Sequence, residues 1–249
     1  TGFTTTSSSS ALPGIPTAIA AGGYHSCALL DNTSVKCWGA GGFGRLGIDN
    51  QNSKGDGPGE MGDNLSVVDL GTGRTATAIS LGSEHTCALL DNASVKCWGS
   101  GDWGTLGIDT RNNMGDGTRE MGDDLPSVDL GTGRTATAIA VGNTHSCALL
   151  DNASVKCWGG NEYGELGIDS SANYVGRSSG DMASLTGINL GTGRTATAIA
   201  SGIFHTCALL DNTSVKCWGN NTFGGLGIGS TDHMGDSSGE MADLPYLDL

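Results

Sequence analysis

Apolar positions along the chain alternate in short runs, and one run recurs at a fixed distance. The stretch Cys27–Gly39 reads CALLDNTSVKCWG, and its copies follow at 60-residue intervals. Within it, CALL and SVKC are β-compatible, and Asp31–Thr33 between them favours a turn. The pattern therefore predicts one β-hairpin in each of four repeats. The copies are Cys27–Gly39, Cys87–Gly99, Cys147–Gly159 and Cys207–Gly219.

The register of this hairpin decides which side chains face each other. If Cys27 lies opposite Cys37, then Leu29 lies opposite Val35 on the cysteine face, because side chains alternate along a strand. Directly opposed residues hold their Cβ atoms ~4.5–5.5 Å apart, which is close to disulfide reach. We therefore predict four local disulfides: Cys27–Cys37, Cys87–Cys97, Cys147–Cys157 and Cys207–Cys217.

Two more β-compatible segments belong to each repeat. An alternating small-residue stretch such as Thr17–Gly22 precedes each hairpin, and a short apolar stretch closes each repeat. The sequence therefore predicts an all-β fold, a β-propeller-like array of four ~60-residue repeats, each with about four short antiparallel strands and one disulfide. The closing stretches are Ser66–Leu70, Ser127–Leu130, Gly187–Leu190 and Tyr246–Leu249.

Composition divides the chain into a tail and a repeat domain. Residues 1–16 are rich in Ser, Thr and Pro and predict a tail or linker, which is either O-glycosylated or without a role. No signal-like segment precedes Thr1, so we expect either a mature chain or part of a longer precursor. No apolar run reaches the ~20 residues of a membrane span, so we expect no membrane insertion. The repeats are 17–76, 77–136, 137–196 and 197–249.

Charge and cysteine content narrow the function classes. The formal net charge of −14 disfavours nucleic acid and anionic membrane surfaces as partners, because phosphate binding needs clustered Lys and Arg. Eight cysteines in register favour disulfides in an oxidising compartment. Zinc is the alternative, but Cys-x9-Cys on a hairpin is not a usual zinc spacing. We therefore predict an extracellular or cell-surface location.

The order G-x-x-H-[ST]-C-A-L, then V-x-C-W-G, then G-x-L-G closely resembles the repeats of the regulator of chromosome condensation family. The resemblance implies a β-propeller of four-stranded blades. That family usually closes with seven blades, so a four-bladed ring, a partial propeller completed by another chain and an open array remain alternatives. Cysteine-bearing repeats of this type resemble those of secreted proteins from microbes and algae. The matching residues are Gly22, His25, Ala28, Leu29, Val35, Trp38, Gly39, Gly44, Leu46 and Gly47, with their copies.

Roles known in the family include nucleotide exchange on a small GTPase, chromatin binding and inhibition of secreted β-lactamases. These activities do not transfer with the fold alone, and the acidity of this chain disfavours chromatin. No nucleophile–base motif, phosphate-binding loop or metalloprotease motif is present in the sequence, so we predict that the chain is not an enzyme.

Two recurrent residues invite a functional interpretation. The histidines at 25, 85, 145 and 205 could form a ring of ligands, but no second ligand travels with them, so we favour a structural hydrogen bond. The tryptophans at 38, 98, 158 and 218 could form a carbohydrate-binding face. We favour anchors between blades, because the chain has few other large apolar groups.

Candidate binding residues lie between the hairpins. One connector position carries a varying aromatic side chain, which suits a binding surface: Phe43, Trp103, Tyr163 and Phe223. Acidic loops offer oxygen ligands for calcium, with a solvated loop as the alternative, and the third repeat breaks their pattern. Their carboxylates are Asp56, Glu60, Asp63, Asp116, Glu120, Asp123, Asp236, Glu240 and Asp243. N-glycosylation sequons lie at Asn32, Asn64, Asn92, Asn152, Asn212 and Asn220.

Together these features predict a secreted, non-enzymatic structural or adhesive repeat protein. Near-identical repeats favour head-to-tail assembly into a filament or surface layer, with Tyr246–Leu249 completing a blade of the next subunit. The alternative is an extracellular module that binds glycan or protein. No cofactor is expected, apart from calcium in the acidic loops.

Overall fold

A computed structural model describes residues 14–247 of the chain. Thirteen strands form four antiparallel sheets, in the order β1-β2-β3, β4-β5-β6, β10-β9-β8-β7 and β11-β12-β13. Residues 1–13 of the predicted tail lie outside the described residues. The strands are β1 Pro16–Ala21, β2 His25–Leu30, β3 Val35–Gly39, β4 Ala76–Leu81, β5 His85–Leu90, β6 Val95–Gly99, β7 Ala136–Val141, β8 His145–Leu150, β9 Val155–Gly160, β10 Tyr174–Val175, β11 Ala196–Ser201, β12 His205–Leu210 and β13 Val215–Gly219.

The short helices all lie in the connecting loops. Three 3₁₀ turns and two four-residue α-helices follow the hairpins, and none of them approaches the length or apolarity that a bilayer crossing needs among residues 14–247. They are the 3₁₀ turns Gly42–Gly44, Gly62–Asn64 and Gly122–Asp124, and the helices α1 Asp181–Ser184 and α2 Glu240–Asp243.

The predicted hairpin register is confirmed in every repeat. Cys27 lies directly opposite Cys37, and Leu29 lies opposite Val35 on the same face. The Cα atoms of the two cysteines are 4.1 Å apart and their sulfurs are bonded. The other three bridges join Cys87 to Cys97, Cys147 to Cys157 and Cys207 to Cys217. No free cysteine remains among the described residues, so the zinc alternative has no thiolate to use.

The predicted closing strand was wrong as a continuous element. Val67 makes an isolated bridge with Lys36, and Val68 donates one backbone hydrogen bond to Val35 (2.8 Å). The opposite end of the same edge is taken by the acidic loop, where Lys54 bridges Gly39. A strand of five residues is too short for both segments to form continuous backbone pairing along its outer edge. Only the third repeat extends the loop pairing into a strand, β10.

Stacking of the repeats forms an open, propeller-like array. The inner strands β1, β4, β7 and β11 contact one another in succession. Backbone hydrogen bonds join their inner ends, from Gly23 to Gly82, from Ser83 to Asn143 and from Asn143 to Ile203. Within residues 14–247 no backbone hydrogen bond joins the fourth repeat back to the first. The four-bladed ring is therefore not formed.

The core lies between neighbouring repeats. The leucine of each G-x-L-G connector is fully buried, as at Leu46 and Leu106. Trp98, Trp158 and Trp218 are also fully buried, whereas Trp38 of the first repeat is only half-buried. A repeat therefore buries its tryptophan only when another repeat precedes it, which is the behaviour of a stacked repeat array.

We predict that each local bridge contributes to the stability of the folded chain. Replacing Cys147 and Cys157 together by alanine should lower the free energy of unfolding by roughly 2–3 kcal/mol, because the bridge removes loop entropy from the unfolded chain. Urea unfolding of the variant and of the oxidised wild type measures the difference. The same double replacement at Cys207 and Cys217 provides a matched comparison in the outermost repeat. Equal stability of the Cys147/Cys157 variant and the wild type would refute the prediction.

Candidate functional site

The recurrent histidines and tryptophans meet at the junctions between repeats. Nε2 of His25 lies 2.7 Å from Oγ1 of Thr86 in the next repeat. That hydroxyl donates to the carbonyl oxygen of Arg45 (3.0 Å), and the indole N–H of Trp98 donates to the same oxygen (3.1 Å). The other junctions use His85, Ser146, Thr105 and Trp158, and then His145, Thr206, Glu165 and Trp218.

This network fixes the chemistry of each junction histidine. The hydroxyl uses its one proton on the carbonyl, so the imidazole must donate from Nε2. Nδ1 of His25 and of His145 then keeps a buried lone pair without a partner. Burial lowers the pKa of His25 to about 4, with the Arg45 charge as a second cause. Burial also lowers the pKa of His85 and of His145 to about 3, so these rings are neutral.

The histidines therefore serve the stacking and do not converge as ligands of one ion. Close approach of the next repeat also explains the connector glycines. A Cβ on Gly44 would lie 2.3 Å from the backbone nitrogen of Asp116, and one on Gly104 would lie 2.5 Å from the Val175 carbonyl. A side chain at either position would force the repeats apart.

One further junction contact was not predicted from the sequence, and it is made by the aspartate that follows G-x-L-G-I in the first three repeats. Oδ1 of Asp49 accepts the backbone N–H of Met121 (3.1 Å), and Oδ1 of Asp109 accepts that of Met182 (3.0 Å). Asp169 does the same for Met241 (2.8 Å). The fourth repeat carries Gly229 at this position. The 60-residue recurrence of the aspartate was the signal that could have revealed it.

The acidic loops use their carboxylates on their own backbone. Oε2 of Glu60 accepts the N–H groups of Gly55 and Gly57, each at 2.9 Å. Glu120 and Glu240 do the same in their loops, and Asp181 takes this role in the third repeat. Asp123 accepts from Thr72 of the preceding repeat. Among residues 14–247 no three His, Cys, Asp or Glu side chains gather as a metal site, and calcium stays a sequence-based prediction.

The sequons lie where a glycan could be attached. The four hairpin-turn asparagines are exposed, and their Oδ1 atoms hold the turn by accepting from the serine two residues later, as Asn32 accepts from the N–H and the hydroxyl of Ser34. Asn64 is also exposed, but its Nδ2 donates to Gly59 (2.8 Å), and Asn220 is half-buried. Glycosylation stays a prediction. The turn asparagines are Asn32, Asn92, Asn152 and Asn212.

The four connector aromatics lie at equivalent positions and define what we call the connector face. Phe43 lies 5.4 Å from the guanidinium carbon of Arg45, and Tyr163 packs edge-on against Phe204 (5.6 Å between ring centroids). Trp103 and Phe43 are each 38% exposed, and Phe223 is 96% exposed. The face therefore presents large apolar side chains to solvent in the first, second and fourth repeats, whereas Tyr163 of the third repeat is half-buried. The connector face comprises Phe43, Trp103, Tyr163 and Phe223.

The concave parts of the connector face surround Trp103. It lines three neighbouring depressions, of ≈ 260, ≈ 220 and ≈ 310 Å³. Glu84 and Thr144 border the depression of ≈ 260 Å³, whereas Tyr174 and Glu162 border the depression of ≈ 310 Å³. A surface with an exposed indole and polar groups at its edges suits recognition, because the ring gives contact area and the edges give hydrogen bonds.

Glu165 is the one strongly perturbed carboxyl near this face. Its side chain is buried, and Oε2 accepts the backbone N–H of Tyr163 (2.8 Å). Burial raises the pKa of Glu165 to about 7. No nucleophile or second catalytic group accompanies it among its hydrogen-bond partners, so a catalytic role has no geometric support there.

Comparison with known proteins places this fold in a family. The model described as Regulator of chromosome condensation (RCC1) repeat matches residues 17–45, 76–107, 136–165 and 196–224. The Ultraviolet-B receptor UVR8 of Arabidopsis thaliana is 30% identical over 219 residues, which cover 87% of this chain and 44% of UVR8. The E3 ubiquitin-protein ligase HERC2 of Homo sapiens is 31% identical over 216 residues, which cover 86% of this chain and 4% of HERC2.

Solved structures give the same fold. Human WBSCR16 superposes with a TM-score of 0.71 at 19% identity, covering 95% of this chain and 54% of that structure. Yeast RCC1 (Prp20), solved with Kap60 bound, superposes with a TM-score of 0.65 at 21% identity, covering 93% of this chain and 49% of that structure. The chain thus has the architecture of about half of such a propeller.

We predict that acid destabilises the chain through the junction histidines. Between pH ~6.5 and ~4 the unfolded chain protonates these rings and the folded chain does not, so stability falls as the pH falls, by ~1.4 kcal/mol per pH unit and per histidine. His85→Gln keeps a donor towards Ser146 but cannot titrate. Urea unfolding at several pH values should show a shallower loss of stability for His85→Gln. An identical pH slope in variant and wild type would contradict the assignment.

Proposed function

Because the four repeats belong to the RCC1 repeat family, we propose that the chain is an extracellular, non-enzymatic recognition module that binds a protein through its connector face. The observation that carries the proposal is Trp103, a part-exposed indole at the meeting point of three depressions. Aromatic side chains are enriched at protein interfaces because they bury much apolar area at a low entropy cost.

The relatives support protein binding as the general function of the chain. Yeast RCC1 has been solved with Kap60 bound, and its binding to Gsp1p and histones has been described. The RCC1 fold alone does not select the partner, because function lies in the surface residues that each member carries. In this chain, the connector aromatics Phe43, Trp103 and Phe223 are exposed and vary in type between repeats.

The disulfides support the extracellular location. All four repeats place one disulfide inside the blade, and such bridges persist in oxidising compartments. Exposed turn asparagines in sequons are compatible with the same compartment. Recovery of reduced thiols from the native protein would contradict this part of the proposal.

A second candidate is a structural role through head-to-tail assembly, favoured by the two outer faces of the array. The fourth repeat keeps His205 and Gly224 for a following repeat, and Leu209 is 41% exposed although its counterpart Leu149 is 6% exposed. The first repeat likewise exposes Met61, whose counterparts are buried. These faces offer most of the junction chemistry to a second copy.

The route to such assembly differs from the strand exchange expected from the sequence. The backbone N–H of Leu247 donates to Val215 of its own repeat (2.9 Å), so this segment is engaged within its own blade. Assembly would instead stack whole blade faces, with His205 meeting Ser26 and Trp38 meeting the Gly225 carbonyl. Gly229 removes one of the contacts that the internal junctions use.

We predict that Trp103→Ala removes peptide recognition. Peptides selected from a displayed random library on the wild-type chain should bind Trp103→Ala at least tenfold more weakly, because the variant loses the central apolar contact. Ile19→Ala is the matched control, since Ile19 is 79% exposed and lies away from the connector face. Selected peptides that bind all three proteins equally would count against the connector face.

We predict that the chain self-associates with increasing concentration through its outer faces. Leu209→Asp should reduce this association, because it places a charge at the contact between blades. Val67→Asp is the control, since Val67 is 51% exposed outside the junctions. Sedimentation velocity gives the distribution of species. A wild type that stays monomeric over the accessible concentration range would eliminate the structural candidate.

A further inference from the structure

The acidic loop of the third repeat differs from its three counterparts, and two of its differences, Tyr174 and Arg177, lie beside Trp103. Tyr174 stands where the other loops have Ser53, Asn113 and His233, and Arg177 stands where they have Asp56, Asp116 and Asp236. The equivalence is structural, because the N–H groups of Asp116, Arg177 and Asp236 each donate to the same loop carboxylate of their repeat. One position thus changes from an anion to a cation.

These two departures meet the most concave part of the connector face. The ring centroids of Trp103 and Tyr174 are 5.4 Å apart, and the guanidinium carbon of Arg177 lies 4.2 Å from the Tyr174 centroid. Arg111 of the second repeat lines the same depression, of ≈ 220 Å³, together with Asp102. Two arginines and two aromatic rings therefore surround a space of the size of one side chain.

The positive charge of this cluster is available to a ligand. Five other Lys and Arg residues make ion pairs within 4.0 Å, but neither Arg111 nor Arg177 does so within residues 14–247. Stacking on Tyr174 orients the Arg177 guanidinium, which leaves its N–H edge free to donate. In a chain with a net charge of −14, two arginines that line one depression are a local exception.

We propose that Trp103, Tyr174, Arg111 and Arg177 form a binding site for an acidic side chain in a peptide segment of the partner protein. The carboxylate accepts from the two guanidinium groups, an arrangement that arginine makes with directional and charge-assisted hydrogen bonds. A neighbouring apolar side chain of the peptide packs on the Trp103 indole. Asp102 then accepts a backbone N–H of the same peptide. This inference rests on the proposed protein-binding function and names the group recognised.

The net charge of the chain allows binding at this site to be distinguished from long-range electrostatic attraction. A field of −14 repels an acidic peptide, so it favours a neutral peptide over an acidic one of the same shape. A preference for the acidic peptide can therefore come only from a local cationic site. The cationic site predicts tighter binding of the acidic peptide, whereas the overall charge predicts tighter binding of the neutral peptide.

The test uses the full 249-residue chain and two synthetic peptides, acetyl-Gly-Glu-Phe-Glu-Gly-amide and the same peptide with both Glu replaced by Gln. We expect the acidic peptide to bind at least tenfold more tightly by isothermal titration calorimetry. Arg177→Asp installs the residue of the other repeats and so fits the loop, and it should abolish the preference. Arg111→Gln should reduce it, whereas Arg119→Gln, on the same loop as Arg111, should leave it unchanged.

Three results would overturn the proposal. They are equal affinity for the two peptides, an acidic preference that survives in Arg177→Asp, and binding of a sulfated or uronic-acid oligosaccharide without any preference for the acidic peptide. Library peptides that depend on Trp103 while showing no acidic preference would remove this inference and leave the protein-binding function standing. If peptide binding depended neither on Trp103 nor on acidic side chains, both this inference and the proposed protein-binding function would be wrong.

Discussion

One backbone carbonyl in each connector governs how the repeats stack. The Arg45 carbonyl receives the indole N–H of Trp98 and the hydroxyl of Thr86, and that hydroxyl receives the His25 imidazole. Four buried polar groups from two repeats pair in one place, and each of the three hydrogen bonds joins one repeat to the next. Since unpaired buried polar groups are costly, the network favours stacking in one register and excludes others.

The disulfide inside each hairpin complements this arrangement. Aromatic residues make up only 5% of the chain, so a blade has few large side chains with which to build its own core. The bridge between Cys27 and Cys37 holds two short strands together, and the equivalent bridges of the later repeats leave Trp98, Trp158 and Trp218 to pack against the repeat before them. The disulfide thus stabilises the hairpin within a repeat, and the tryptophan stabilises the packing between repeats.

Periodicity separates the residues of the junctions from the residues that we propose for recognition. The histidines, tryptophans and connector aspartates recur every 60 residues, and the structure uses them at every internal junction. The residues that break the period, Tyr174 and Arg177, lie on the surface beside Trp103. A repeat array can change its rim without disturbing its junctions, which is how one fold supports different partners.

The all-β class, the four repeats, the hairpin register and the disulfides could be predicted from the sequence, because each bridge joins cysteines only ten residues apart across one turn. The sequence also located Trp103 as a surface residue. Three features could be seen only in the three-dimensional structure: the array is open, two segments share the edge of each third strand, and Trp103 lies beside Tyr174 and Arg177. Those contacts join different repeats, and local side-chain alternation carries no information about partners so distant along the chain.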